Sequence, residues 1–466
     1  MAVEEVSANF LKHATVEHVK YADMRLQDLR ELILVFTLRS TECDLISSGE
    51  RYIRGVGVRA LSTGDWSFAS SSLTSAAEVA KTTNIAIALA QSKPPSETSK
   101  RVQLADCERT HITDAAIPDR QETISMEQMI EQGISLLQSI DLPDYLSEVR
   151  LRIESIRENK LFVSTEGSQI SQLKLAYICT VRCEAKQGAT RGTIAVRHGG
   201  LGGDPFDNLE KSLVFEEALE KSRDILHART IRSGDYPVIL TPATAWNLVH
   251  ESLGHAVEAD TVLSGKSVFS GLLGNKVASQ QVTVVDDPTF PALGSYAFDD
   301  DGVKASGSIV VEDGLLSDYL HNRETAGTLQ TMSTANSRAE GFGNFPLVRM
   351  SNFFVEPGDL EIEELLKVKK KGIYILSAAG GIAESFSGAF RLPVQLAYEV
   401  KNGEITSPIR DFTVIGNMLS FLGRVDGVGN TMEQTAGICG KEGQIALQGA
   451  ISPAIRVSQL KIVSDY

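Results

Sequence analysis

Ala245-Trp246-Asn247-Leu248-Val249-His250-Glu251-Ser252-Leu253-Gly254-His255-Ala256-Val257-Glu258-Ala259-Asp260 is the stretch around which the rest of the chain can be read. Two histidines and a glutamate fall within residues 250–255. Imidazole nitrogens bind zinc, and a carboxylate beside a metal can take a proton from water. The familiar H-E-x-x-H pattern puts its histidines four apart on one helix face. Here the spacing is one residue longer. Five residues on a regular helix advance about 500°, leaving the two side chains roughly 140° apart. The spacing therefore predicts a π-bulge or a helix end between His250 and His255, near Gly254, whose backbone is the freest in the segment. The alternative is a regular helix carrying two unrelated histidines. Thr241 or Thr244 can cap the start of this helix.

A catalytic zinc takes three protein ligands and keeps one open position. Glu251 is kept as the general base, so the third ligand must come from elsewhere. His227, His321, Glu258 and Cys439 are the candidates. Cys439 lies in Gly437-Ile438-Cys439-Gly440-Lys441-Glu442-Gly443-Gln444, which reads as a polar loop. Lys441 beside it could favour the thiolate that a metal needs. A small residue in a tight turn is the competing reading. His198, at a strand end, reads as polar surface.

The chain has 466 residues and a net charge of -15, with 42% hydrophobic residues. That length supports two or three domains and a sizeable core. A generic binder of phosphate backbones carries a basic face, so the acidic balance argues against nucleic acid as a partner. No apolar run is long enough to span a bilayer, and the N-terminus has no apolar signal core. The five cysteines are sparse and irregular, which points to a reducing cytoplasm rather than a disulfide framework. Cys179 and Cys183 fall on a strand-like run, where residues four apart lie about 13 Å from each other, so they read as structural.

Taken in order, residues near 5–20 and 73–92 read as helices, with strand-like runs at 22–39 and 55–61 between them. Residues 92–123 read as a loop or linker, and 125–140 as a helix. LFVSTEG, QLKLAYICTVRCEA and GTIAVRHGG alternate like antiparallel strands, and Gly199–Gly203 reads as a flexible turn. An amphipathic helix is expected at about 207–229, with Leu209, Leu213, Leu219 and Leu226 on its apolar side, ended by a break at Ser233–Pro237. Beyond residue 280 the pattern is mostly β. Hairpins are expected at Asp313-Gly314 and Asn402-Gly403, and strands at IYILSAAGG and AIRVSQLKIVSDY. The expected class is α+β. An N-terminal mixed α/β domain spans 1–232, with a subdomain break near 92–123. A β-rich C-terminal domain, 233–466, carries the metal-site helix.

Taken together, several segments resemble the TldD/PmbA family of metallopeptidases, specifically its zinc-bearing TldD-type subunit. They are GVGVRALSTGDWSFAS, YPVILTP, HESLGHAVEAD, KVASQQVTVVDDPT, FDDDGV, the N-x-R-A-E segment at Asn336, RMSNFFVEPGD, GGIAESFSG and GICGKEGQ. The likeness extends over nearly the whole chain. It departs at Ser67, where the family often has glycine, and at Thr431, where it often has aspartate. The resemblance implies zinc held by His250, His255 and Cys439, with Glu251 as catalytic base. It implies hydrolysis of unfolded or linear peptides lying beside a strand edge. It also implies a dimer, with itself or with a PmbA/TldE-type subunit. The contrasting reading is an inactive peptide-binding or scaffolding subunit, against which the presence of all four residues argues.

Overall fold

The computed structural model describes residues 3–62, 65–92, 102–117, 123–206, 214–368 and 371–465. Its first half is built on one long sheet, antiparallel except where β4 joins it. β1 (Tyr21–Arg39), β2 (Glu42–Leu61), β3 (Trp66–Ser71), β4 (His111–Ala115), β5 (Leu146–Ser164), β6 (Gln169–Gln187) and β7 (Thr190–Leu201) assemble in the order β3-β2-β1-β5-β6-β4, with β7 also on β6. Alternate residues of a strand face opposite sides. In β1 the even positions Ala22, Met24, Leu34, Phe36 and Leu38 are buried and apolar. Helices α1 (Val3–Ala14) and α2 (Ala76–Ser92) cover one end of that face through Val6, Phe10, Val79 and Ala86. Helices α3 (Met126–Gln138) and α4 (Val214–His227) cover the other end through Met129, Leu137, Ala218 and Ile225. Each large side chain so buried contributes about 1.5–3 kcal/mol.

The odd positions Asp23, Arg25 and Gln27 are buried as well, but against polar groups of the second half. Arg59 spans Asp23 and Asp301 at 2.6 and 2.7 Å, and Arg25 donates to the Asn344 carbonyl at 2.6 Å. The two halves therefore meet through paired ions, because buried charges persist only where partners satisfy them.

The second half is organised by a ring of strands. β8 (Gly234–Leu240), β9 (Lys371–Ala378), β10 (Ala389–Lys401), β11 (Glu404–Ile409), β12 (Phe412–Asn417), β13 (Val425–Lys441) and β14 (Gln444–Ser464) are the long strands of this half, and β8, β9, β10, β12 and β14 close the ring. β8 pairs with β14, β14 with β12, β12 with β10, β10 with β9, and β9 returns in parallel to β8. Closure leaves no free edge around the ring. Val238, Leu240, Ile373, Ile375, Leu392, Val414 and Ile455 belong to its core, with α5 (Pro242–Ser252) packed on them through Ala245, Leu248 and Val249. A small sheet of Val284–Asp286, Ser308–Glu312, Leu315–Leu316 and Phe353–Val355 adds Val284, Val310 and Phe353 to the same core. β13 stands outside the ring, paired along its length with β14 and bridged at Gly429 to Leu360. The architecture is thus α+β, a mixed N-terminal region followed by a sheet-rich C-terminal one.

Asp313-Gly314 and Asn402-Gly403 do turn their hairpins, all four residues with positive φ as the type I′ turn requires. Other expectations differ. The first helix ends at Ala14, not near residue 20, because the Lys20 N–H is taken by the Leu61 carbonyl as β1 begins. Gly199 and Gly200 lie inside β7 rather than in a turn. A Cβ on Gly199 would stand 2.7 Å from the Tyr177 carbonyl oxygen and 2.8 Å from Ala436 Cβ, so close approach, not flexibility, requires glycine. Gly234 opens β8, and Asp235 and Tyr236 pair with Lys461 and Leu460, so no break falls there. Of the helix expected at 207–229, α4 is the observed part; Leu209 and Leu213 lie outside the described residues. Within 92–123, β4 joins β6 in parallel. Among the described residues no helix is long and apolar enough to cross a membrane.

Candidate metal centre

α5 follows β8 directly. Thr241 is its N-cap residue, with its hydroxyl turned to that of Thr244 at 3.0 Å, and Pro242 opens the first turn, where a missing N–H costs nothing. Trp246 and His250, four apart on one face, bring their ring centroids to 5.0 Å. The helix then stops. Leu253 leaves helical geometry at φ −121 and ψ −51, and Gly254–Ala256 forms a single 3-10 turn. This is the helix end that the five-residue spacing demands; there is no π-bulge. It brings the rings of His250 and His255 to 4.9 Å between centroids, at 80°. Gly254 is needed for contact rather than for its φ: a Cβ there would lie 2.0 Å from Met350 Sδ.

Cys439 arrives from the other side, on β13, opposite Ala446 of β14. It is a buried strand residue and not part of a polar loop. The fully buried Arg349 fixes that strand end by donating to the Cys439 carbonyl at 2.7 Å and to the Gln444 carbonyl at 3.3 Å. Gly437 has no side chain because a Cβ would strike the Trp246 ring at 2.6 Å.

The candidate ligand atoms of His250, His255 and Cys439 all lie within 4.8 Å of one another. Cys439 Sγ is 3.3 Å from His255 Nε2. His255 Nδ1 donates to Glu258 Oε2 at 3.1 Å, so its other nitrogen faces the thiol. Glu258 is fully buried and meets Lys441 Nζ at 3.0 Å. Lys441 also bonds both Asp260 oxygens at 2.7 Å and the Val348 carbonyl at 3.0 Å. The ammonium is thus committed to carboxylates and does not serve the thiolate. Burial works to raise the Cys439 thiol, but His250 and His255 overcome it and bring it down to about 5. Burial likewise opposes the charge on Glu258, yet Lys441 and then His255 hold that carboxyl down to about 2. Of the other candidates, Glu258 is a partner of His255 rather than a third ligand. His227 closes α4, and His321 bonds the Thr325 hydroxyl at 3.1 Å; neither belongs to the group.

A deprotonated sulfur and two imidazoles make a donor set that suits zinc among the common divalent ions. Bonds of about 2.0–2.3 Å hold such atoms within about 4 Å of one another. The observed spacing is a slightly open version of that arrangement. The donor chemistry and the spacing of these three residues therefore fit the ion.

Residues 233–464 match the family model described as the PmbA/TldA metallopeptidase C-terminal domain. A Methanocaldococcus jannaschii protein named as a metalloprotease is 36% identical over 433 residues, covering 91% of this chain and 93% of its own length. The chain belongs to the TldD/PmbA metallopeptidase family. A Saccharolobus solfataricus relative, named as a zinc metalloprotease TldD homolog, is 31% identical over 259 residues, 55% of this chain and 58% of its own. The crystal structure of TldE from Thermococcus kodakarensis shares the fold at 17% identity, with a TM-score of 0.79 over 98% of this chain and 100% of that one.

In this TldD/PmbA member a cleft of about 870 Å³ runs up to His250 and Glu251. Its walls are β7 at 195–198, the start of α4, the Ser377–Gly381 segment and β13 at 433–438. Burial raises the Glu251 carboxyl above its usual range, with His250 and His255 opposing that shift. Gly381 leaves room for it, since a Cβ there would stand 2.9 Å from Glu251 Cγ and 2.7 Å from Asn247 Oδ1. His198, read from sequence as polar surface, also lines this cleft, with Nε2 3.3 Å from the Tyr177 hydroxyl. Only its pairing across β6 and β7 brings it there, and nothing local in the sequence reports that.

Proposed function

We propose that the chain is a zinc-dependent peptidase that hydrolyses unstructured peptides. The observation that carries this reading is the convergence of His250, His255 and Cys439, with His250 and Glu251 both lining the adjoining cleft. Zinc, when bound, polarises the scissile carbonyl and makes water a competent nucleophile near neutral pH. Glu251 takes the proton of the attacking water and returns it to the leaving amine, a role favoured by a carboxyl lifted towards the working pH. Trp246 packs beside His250 and keeps its ring in place. β7 and β13 flank the cleft, joined where the Thr435 hydroxyl bonds the Arg197 carbonyl. An extended substrate can lie along such strands by main-chain hydrogen bonds, which suits unfolded chains of varied sequence. The family resemblance adds a dimer, with a second copy or a TldE-type subunit, to this reading. The five free cysteines support a reducing, cytoplasmic setting.

The test is cleavage of a labelled, permanently unfolded protein by zinc-loaded enzyme. Chelation should abolish cleavage and added zinc restore it. Glu251→Gln should retain zinc and lose about 10²–10⁴-fold in turnover. Chelator-resistant cleavage, or full activity in Glu251→Gln, would refute the proposal.

A further inference from the structure

The buried carboxylate behind His255 links two segments that are far apart in sequence. Glu258 sits three residues after His255 and accepts its Nδ1–H at 3.1 Å. The same oxygen, Oε2, meets Lys441 Nζ at 3.0 Å. Lys441 is two residues beyond Cys439, on the same strand. Its ammonium is anchored further by Asp260 at 2.7 Å and by the Val348 carbonyl at 3.0 Å. Glu258 is 0% exposed, and the Lys441 side chain is 11% exposed. So little solvent access leaves each charge dependent on the other. Neither group lies among the three candidate ligands, and the proposed chemistry uses neither.

We propose that Glu258 and Lys441 form a single positioning unit that locks His255 and Cys439 into one metal-binding geometry. The inference rests on the zinc reading above. Glu258 fixes the tautomer and plane of His255, so that Nε2 is the nitrogen presented to the thiolate. Lys441 ties that carboxylate to β13 and so sets where the Cys439 sulfur stands. A carboxylate behind a ligating imidazole raises its basicity and typically carries 10–100-fold in metal affinity. Here the cation behind the carboxylate carries the same effect one residue further out, although it touches no ligand.

The experiment measures zinc affinity by chelator competition, and the visible absorption of the cobalt-loaded chain, for wild type, Glu258→Gln, Lys441→Met, Lys441→Arg and the Glu258→Gln/Lys441→Met double variant. Glu258→Gln and Lys441→Met should each lose about 10–100-fold in affinity and shift the cobalt bands. The double variant should lose no more than the worse single one, because the two act as one unit. Lys441→Arg, which keeps the cation, should stay within a few fold of wild type. Should Lys441→Met fail to fold, the double variant, which removes the fully buried Glu258 charge together with its partner, and Lys441→Arg decide the matter. A double variant whose loss equals the product of the two single losses would overturn the proposal, as would affinities and cobalt spectra unchanged from wild type. Absence of zinc binding in wild type would instead overturn the functional reading itself, so the two failures are distinct.

Discussion

Gly254→Ala is the substitution that interrogates the helix end most sharply. A Cβ at this position would stand 2.0 Å from Met350 Sδ and 2.9 Å from Met350 Cε, with the methionine itself fully buried. Something must move, and overpacking of this kind costs about 1–3 kcal/mol. Gly254 has no positive φ. The alanine is therefore conformationally allowed, and its smaller unfolded-state entropy returns about 0.4–1 kcal/mol. The net expectation is a loss of about 1–2 kcal/mol. Because the strain falls on the residue before His255, zinc affinity should drop with it. Met350→Ala alone should cost about 2–5 kcal/mol through the cavity it leaves. In the double variant the new methyl occupies part of that cavity. The two losses should then sum to more than the double variant shows, by roughly 1–2 kcal/mol. Urea unfolding of the four proteins, with and without zinc, measures all of this. Strict additivity, or a Gly254→Ala protein of unchanged stability and affinity, would refute the packing argument.

Two further outcomes follow from the geometry. Cys439→Ser should weaken zinc binding while leaving the fold intact, since a hydroxyl replaces a thiolate poorly and the Arg349 anchor reaches the backbone carbonyl, not the sulfur; equilibrium dialysis at limiting zinc measures it. Lys174 is buried with its Nζ 2.6 Å from the Leu293 carbonyl, and burial, aided by Arg338, pulls its ammonium down to about 7. The unfolded chain then holds more protons than the folded one between about pH 7 and pH 10, so this group makes stability rise with pH across that window. The full difference is on the order of 5 kcal/mol. Lys174→Met should remove that rise from unfolding curves taken at several pH values, and an unchanged pH profile would contradict the assignment.

The site was legible in sequence wherever spacing is itself a geometric constraint. A five-residue step cannot place two imidazoles on one ion within a regular helix, so a π-bulge or a helix end near Gly254 could be inferred without coordinates, and the structure takes the helix end. The Asp313-Gly314 and Asn402-Gly403 hairpins were legible because both need φ > 0 at consecutive positions. What failed were glycines and charges whose reasons lie across the fold. Gly199 and Gly437 suggested flexible turns, yet each is a place where Ala436 or Trp246 presses on backbone. Gly437 and Gly440 made Cys439 read as a loop residue, although β14 pairs residues 437–441 and only Glu442 and Gly443 turn. Lys441 was read through its neighbour Cys439, whereas its partners, Glu258 and Asp260, lie 183 and 181 residues away in sequence. The ring of strands was equally hidden, since its closure depends on β9 meeting both β10 and β8.

The central claim is that His250, His255 and Cys439 surround one ion. X-ray absorption at the zinc edge of the purified, zinc-loaded chain addresses it directly. The account predicts one zinc per chain with a single sulfur neighbour at about 2.3 Å and nitrogen neighbours at about 2.0–2.1 Å. It predicts that the sulfur shell disappears in Cys439→Ser. A zinc environment of oxygen and nitrogen alone in the wild-type chain, or a sulfur shell that survives in Cys439→Ser, would contradict it.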